Sequence, residues 1–131
     1  MSEINHPTHY GGIDNHYEAI KVIEACQCGF HIGNAIKYLS RAGKKEGQTL
    51  KKDLQKALWY LERMLSKGIK DGFVRTGKSN PYKVPEVALA WGLSKNLEAA
   101  LSHIWHGNYG FALTQLKIAI EFENKYPIEP E

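Results

Sequence analysis

The stretch Thr49-Leu50-Lys51-Lys52-Asp53-Leu54-Gln55-Lys56-Ala57-Leu58-Trp59-Tyr60-Leu61-Glu62-Arg63-Met64-Leu65 decides the fold class. Leu50, Leu54, Ala57, Leu58, Leu61 and Leu65 recur at helical spacing and make a continuous apolar face. Thr49 can cap the start and Gly68 stops the run. The other face carries Lys51, Lys52, Lys56 and Arg63. A helix built this way must bury its apolar face against neighbours, so adjacent segments have to supply matching faces.

Upstream, Ile32, Ala35, Ile36 and Leu39 fall on one stripe and predict a helix from about Phe30 to Ala42, ended by Gly43. Before it, Tyr17, Ala19, Ile20, Ile23 and Ala25 predict a helix over Asn15 to Cys26, with Asp14 or Asn15 as cap and Gly29 as the break. Downstream, Gly72, Gly77, Pro81 and Pro85 make the stretch after Gly68 read as a connector. Helical pattern resumes at Glu86: Val87 to Trp91, then Gly92, then a Ser94-capped helix to His106, then Gly107, then a helix from about Tyr109 to Lys125.

The expectation is an all-α, compact helical bundle of about five to six helices forming one cooperative unit. It comprises a first half over 1–70, a connector over 71–85 and a second half over 86–131. Leu54-x-x-Ala57-Leu58-x-Tyr60 lines up with Leu116-x-x-Ala119-Ile120-x-Phe122. The halves therefore read either as two helical-hairpin repeats about a pseudo-twofold axis or as consecutive helices of similar spacing.

Bulk composition bounds the function. A chain of 131 residues, 43% hydrophobic, builds one ordinary core. Its 17 basic and 14 acidic residues leave a net charge of +3, too small for a general polyanion binder, so any anion site must be local. No apolar run reaches the ~18 residues a membrane helix needs, and Met1 to Pro7 lacks the features of a signal peptide, so the cytoplasm is the expected compartment. Cys26 and Cys28, one residue apart on a helix, are expected to be reduced and buried. Trp59, Trp91 and Trp105 suggest more apolar surface than a small unit can bury alone, hence a homo-oligomer.

Polar residues at helical spacing mark the candidate site. Asn34, Lys37, Tyr38 and Arg41 form a second stripe on the Phe30 helix, leading into Gly43-Lys44-Lys45. Asp53, Lys56 and Tyr60 form a similar stripe on the next helix, so a hairpin would bring the two stripes to a shared cleft; otherwise they form a solvated surface with ordinary salt bridges. The turn Arg41 to Gly47 joins fork-like and point-like cations to two glycines, which suits a phosphate. Asn5-His6-Pro7-Thr8-His9-Tyr10 places two imidazoles, an amide and a phenol on a segment that proline keeps out of helix. It can either fold over a nucleotide or cover the first helix.

Two other patterns are weaker. Gly72 to Ser79 fits the phosphate-loop string G-x-x-x-x-G-K-S at every position, but a helix is expected before it and Asn80-Pro81 follow it. A working loop needs a strand before it and a helix beginning at the lysine. Zinc ligation by His6, His9, Cys26, Cys28 and His31 has suitable donor types at unsuitable spacings, so no metal site is assigned.

Three linked blocks, Asn5-His6-Pro7-x-His9-Tyr10, Gly33 to Lys45 and Asp53 to Leu61, resemble the phage family called domain of unknown function 3310 (DUF3310). Members are labelled nucleotide kinase-like, after a podovirus protein that phosphorylates deoxynucleoside monophosphates without an ordinary phosphate loop. The resemblance implies a phage or prophage origin in a bacterial host. It also implies a candidate nucleotide site at Asn5, His6, His9, Tyr10, Asn34, Lys37, Tyr38, Arg41, Lys44 and Lys45, behind which the helical stripe Asp53, Lys56 and Tyr60 is expected to stand. The functional expectations are a phosphotransferase assisted by Mg2+, non-catalytic capture of a signalling nucleotide to counter host defence, and, third, a structural or DNA-binding role. A nucleic-acid partner is the least favoured and no membrane partner is expected.

Overall fold

The computed structural model describes residues 16–44 and 49–126. Within them lie six α-helices, α1 (Ala19–Cys26), α2 (Phe30–Ser40), α3 (Leu50–Ser66), α4 (Val84–Trp91), α5 (Lys95–Trp105) and α6 (Tyr109–Lys125), plus one 3-10 turn at Gly77–Ser79. The fold is all-α. No described helix is long and apolar enough to cross a membrane.

Capping works as the sequence indicates at two helices. The Thr49 hydroxyl accepts from the Lys52 amide at 3.1 Å and Ser94 from the Leu97 amide at 3.3 Å, each satisfying one orphan donor of its helix. Elsewhere the boundaries move. The first helix begins at Ala19, not Asn15, with Glu18 at its N-cap position; the proposed caps Asp14 and Asn15 lie outside the described residues. Its end is set by Gln27, in the left-handed region at φ 51°, ahead of the expected Gly29. Helix α2 stops at Ser40, two residues before Ala42. Helix α4 starts at Val84 rather than Glu86, because Pro85 sits in the first turn, where a missing N–H costs nothing.

The helices pack as two similar triplets. α1, α2 and α3 have 8, 11 and 17 residues, and α4, α5 and α6 have 8, 11 and 17 again. α2 packs on α3 and α5 on α6, while across the molecule α2 meets α5 and α3 meets α6. Each long helix therefore faces its own counterpart, as a twofold arrangement requires. Burial repeats too: Ala19, Val22 and Cys26 match Val84, Val87 and Trp91, and Ile32, Ala35, Ile36 and Leu39 match Leu97, Ala100, Leu101 and Ile104, all at one constant spacing.

One core runs between the triplets, with Trp91, Ile36, Leu54, Leu61, Leu101, Ile104 and Leu116 fully enclosed. Of the three tryptophans expected to overload the interior, Trp91 and Trp105 are buried, the Trp91 indole donating to the Tyr17 carbonyl at 2.7 Å, and Trp59 is 52% exposed. On α3, Met64 takes the inward place expected of Leu65, which is exposed. The α6 face bearing Phe111, Ile118 and Phe122 also lies outside the core.

The connector is ordered around a buried polar residue. The Asn80 side chain donates to the Arg75 carbonyl at 2.8 Å and its carbonyl oxygen accepts from the Tyr82 amide at 3.0 Å. The Arg75 amide in turn donates to the Cys26 carbonyl at 2.7 Å, and the Tyr82 hydroxyl to the His16 carbonyl at 2.6 Å. These bonds tie the connector across the ends of α1.

Candidate functional site

The two predicted polar stripes do come together, because α2 and α3 form a hairpin. Tyr38 of α2 and Tyr60 of α3 stack with ring centroids 6.0 Å apart and planes 15° from parallel. Around the Tyr38 ring stand Lys37 Nζ at 4.8 Å, Arg41 Cζ at 5.2 Å and Lys56 Nζ at 5.3 Å. Phe30 and His31 meet the Tyr60 ring edge-on at 5.8 and 6.3 Å. The result is a cation-rich aromatic wall spanning both helices, within range of cation–π attraction.

Asp53 is the counter-charge beneath this wall. It is fully buried in the first turn of α3, where the helix dipole favours a carboxylate. One oxygen accepts the Gly43 amide at 3.0 Å; the other lies 4.0 Å from Arg41 Nε, a charge contact too long for a hydrogen bond. Gly43 is required here twice over: its φ is +73°, and an added Cβ would lie 3.2 Å from Leu50 Cβ. Asp53 therefore fixes the α2–α3 turn from inside.

Asn34 and Lys37 extend the wall toward α1. They line an open hollow of about 330 Å³ with Ile23, Cys28, Phe30 and Gly33, and the Asn34 amide donates back to the Phe30 carbonyl at 2.8 Å. Lys44 lies elsewhere: its ammonium donates to the Ser40 carbonyl at 2.8 Å and to the Trp91 carbonyl, joining the C-terminal ends of α2 and α4. Burial there lowers its pKa from 10.5 to about 8. Asn5, His6, His9, Tyr10 and Lys45 lie outside the described residues.

A residue that sequence reasoning passed over holds the start of α2. Asp71 accepts the amides of His31 and Ile32, the latter at 2.9 Å, and its second oxygen sits 3.2 Å from His31 Nδ1. It caps α2 from a connector forty residues away. Gly29 makes room for it, since a Cβ there would lie 2.8 Å from the Asp71 carboxyl carbon. Cys26 and Cys28 are free thiols. Burial pushes their pKa values up to about 12 and about 11, so neither is an activated nucleophile. The phosphate-loop string builds no phosphate cradle of the usual kind: Gly77–Ser79 is one 3-10 turn, the next helix starts only at Val84, and no strand precedes it among the described residues.

The aromatic wall, its counter-charge and its hairpin all lie in the first half, as does the stretch that matches a known family. Residues 4–62 match the family described as protein of unknown function (DUF3310). The chain is also similar to the Gene 1.7 protein of Enterobacteria phage T3, 46% identical over 67 residues. That similarity covers 47% of this chain, and the chain spans about 40% of the length of this curated relative. No solved structure matches the chain. The matches support a DUF3310 phage family relationship for this part of the molecule. The stretch contains α1, α2 and most of α3, together with every residue of the aromatic wall.

Proposed function

We propose that the protein binds a phosphorylated nucleotide on the α2–α3 face. The observation that carries this reading is the gathering of Lys37, Arg41 and Lys56 around the single ring of Tyr38. Three like charges held this close repel one another, and a multivalent anion lying among them relieves that repulsion. The stacked phenols of Tyr38 and Tyr60 add flat apolar surface beside the charge, which matches the base-plus-phosphate composition of a nucleotide.

Capture accounts for more of this geometry than phosphoryl transfer does. Asp53, the carboxylate within the cluster, is buried and already turned to Gly43 and Arg41, which suits a strut better than a base or a magnesium ligand. The wall itself is cationic, so a Mg2+ ion would travel on the nucleotide's own phosphates. Kinase-like turnover, which the family resemblance implies, is the second reading.

A nucleotide panel read by calorimetry, with bound ligand recovered and weighed after incubation with ATP and magnesium, tests both. Binding is expected for wild type, weakened about tenfold or more by Lys37→Ala and by Tyr38→Leu, each checked for native helicity. Intact recovered ligand supports capture; a mass increase of one phosphoryl group establishes transfer. Failure of every nucleotide to bind, or indifference to both substitutions, refutes the proposal.

A further inference from the structure

The α5 face that corresponds to the α2 wall also borders a hollow. Phe30, Gly33, Asn34 and Lys37, at the first, fourth, fifth and eighth positions of α2, line the smaller one. Lys95, Glu98, Ala99 and Ser102 hold the same four positions of α5, and they line a hollow of about 570 Å³. Buried residues occupy matching positions in the two helices, so this is one face used twice and not an accident of counting.

The second hollow has its own chemistry. Lys95, at the start of α5, brings a cation to one end of this face, and Lys83, at the N-cap of α4, also lines the hollow. Trp105 and His106 bring two rings to the other. His106 occupies the α5 C-cap position that Arg41 occupies on α2, and its Nδ1 donates to the Ser102 carbonyl at 2.8 Å, which fixes the ring and leaves Nε2 to a ligand. Between the two ends stand Glu98 and the Ser102 hydroxyl, able to bond sugar hydroxyls. Thr76 and Gly77, part of the phosphate-loop string, also line the hollow. Gly77 has φ +84°, and a Cβ there would meet nothing within 4 Å.

We propose that this hollow is a second binding site, taking a phosphorylated small molecule of mononucleotide size, with Lys95 at its phosphate and the Trp105–His106 end at its ring. Its volume falls within the range of small-molecule sites, roughly 300–1,000 Å³. The class of ligand rests on the nucleotide reading of the α2–α3 face; the existence of the site does not.

Backbone amide NMR of the full chain, titrated with thymidine monophosphate, tests it. Saturable shifts are expected at Gly77, Ala99 and Ser102, as a set separate from those at Lys37 and Tyr38. Lys95→Glu keeps a residue compatible with the first turn of a helix and is expected to weaken the first set about tenfold while sparing the second. Shifts at Gly77, Ala99 and Ser102 without any at Lys37 and Tyr38 would uphold this site and sink the α2–α3 reading. Shifts only at Lys37 and Tyr38 would do the reverse, and no saturable shift anywhere would overturn both. Survival of the Ala99 and Ser102 shifts in Lys95→Glu also overturns the proposal.

Discussion

Replacing Asp53 by alanine removes a fully buried carboxylate that serves two partners at once. The Gly43 amide loses its acceptor at 3.0 Å, and the Arg41 guanidinium, 13% exposed at its side chain, loses the carboxylate 4.0 Å from its Nε. Breaking a buried pair from one side costs about 3–5 kcal/mol, chiefly because the remaining charge stays desolvated. Against a total stability of roughly 5–15 kcal/mol, that is a large fraction. The melting temperature should fall by roughly 10 °C or more. Urea unfolding followed by helical circular dichroism measures the loss. Arg41→Ala should cost a similar amount by stranding Asp53, and the double variant should cost clearly less than the two single losses added together. A loss under about 1 kcal/mol for Asp53→Ala, or strict additivity in the double variant, would show that the pair does not hold the α2–α3 turn.

Lys44 should make stability depend on pH in the alkaline range. Its pKa is 10.5 when unfolded and about 8 when folded, so between those values the unfolded chain holds a proton the folded chain has released, and stability rises with pH across that window. Because the amine retains contact with solvent, the rise should be about 1 kcal/mol, well short of the full shift, and Lys44→Met should abolish it in urea titrations at pH 7.5 and 10. Gln27 holds the left-handed cap position that Gly92 holds in the second triplet, so Gln27→Gly should raise stability by about 1 kcal/mol in the same assay; a loss would mean that the Gln27 side chain contributes more than its backbone strain costs.

Much of the architecture was legible locally. Helices α3, α5 and α6 follow from apolar spacing, from Thr49 and Ser94 as caps of the first two, and from Gly68 and Gly107 as their stops. The polar stripes on α2 and α3 were also visible, because i, i+3 and i+4 neighbours share a face whatever the tertiary fold. What failed locally has identifiable causes. Pro85 reads as a helix breaker until its place in a first turn is known. Gln27 gives no hint of a left-handed backbone, since that conformation is the usual province of glycine. The repeat shows in the Leu54 to Tyr60 alignment, and more widely in Asn15-x-Tyr17 answered by Asn80-x-Tyr82 at the same spacing as the buried positions of α1 and α4.

The sequence by itself determined that this chain is helical, where its longest helices lie, and that cations and phenols share faces on α2 and α3. Only the tertiary structure decided that Asp53 is buried beneath those cations, that Lys44 spans the ends of α2 and α4, that Asp71 caps α2 from the connector, and that α5 borders a second hollow. The division is physical. Helical periodicity is written in residues three and four apart, whereas a carboxylate's counter-charge, a cap forty residues distant and the walls of a hollow exist only once separate segments have packed.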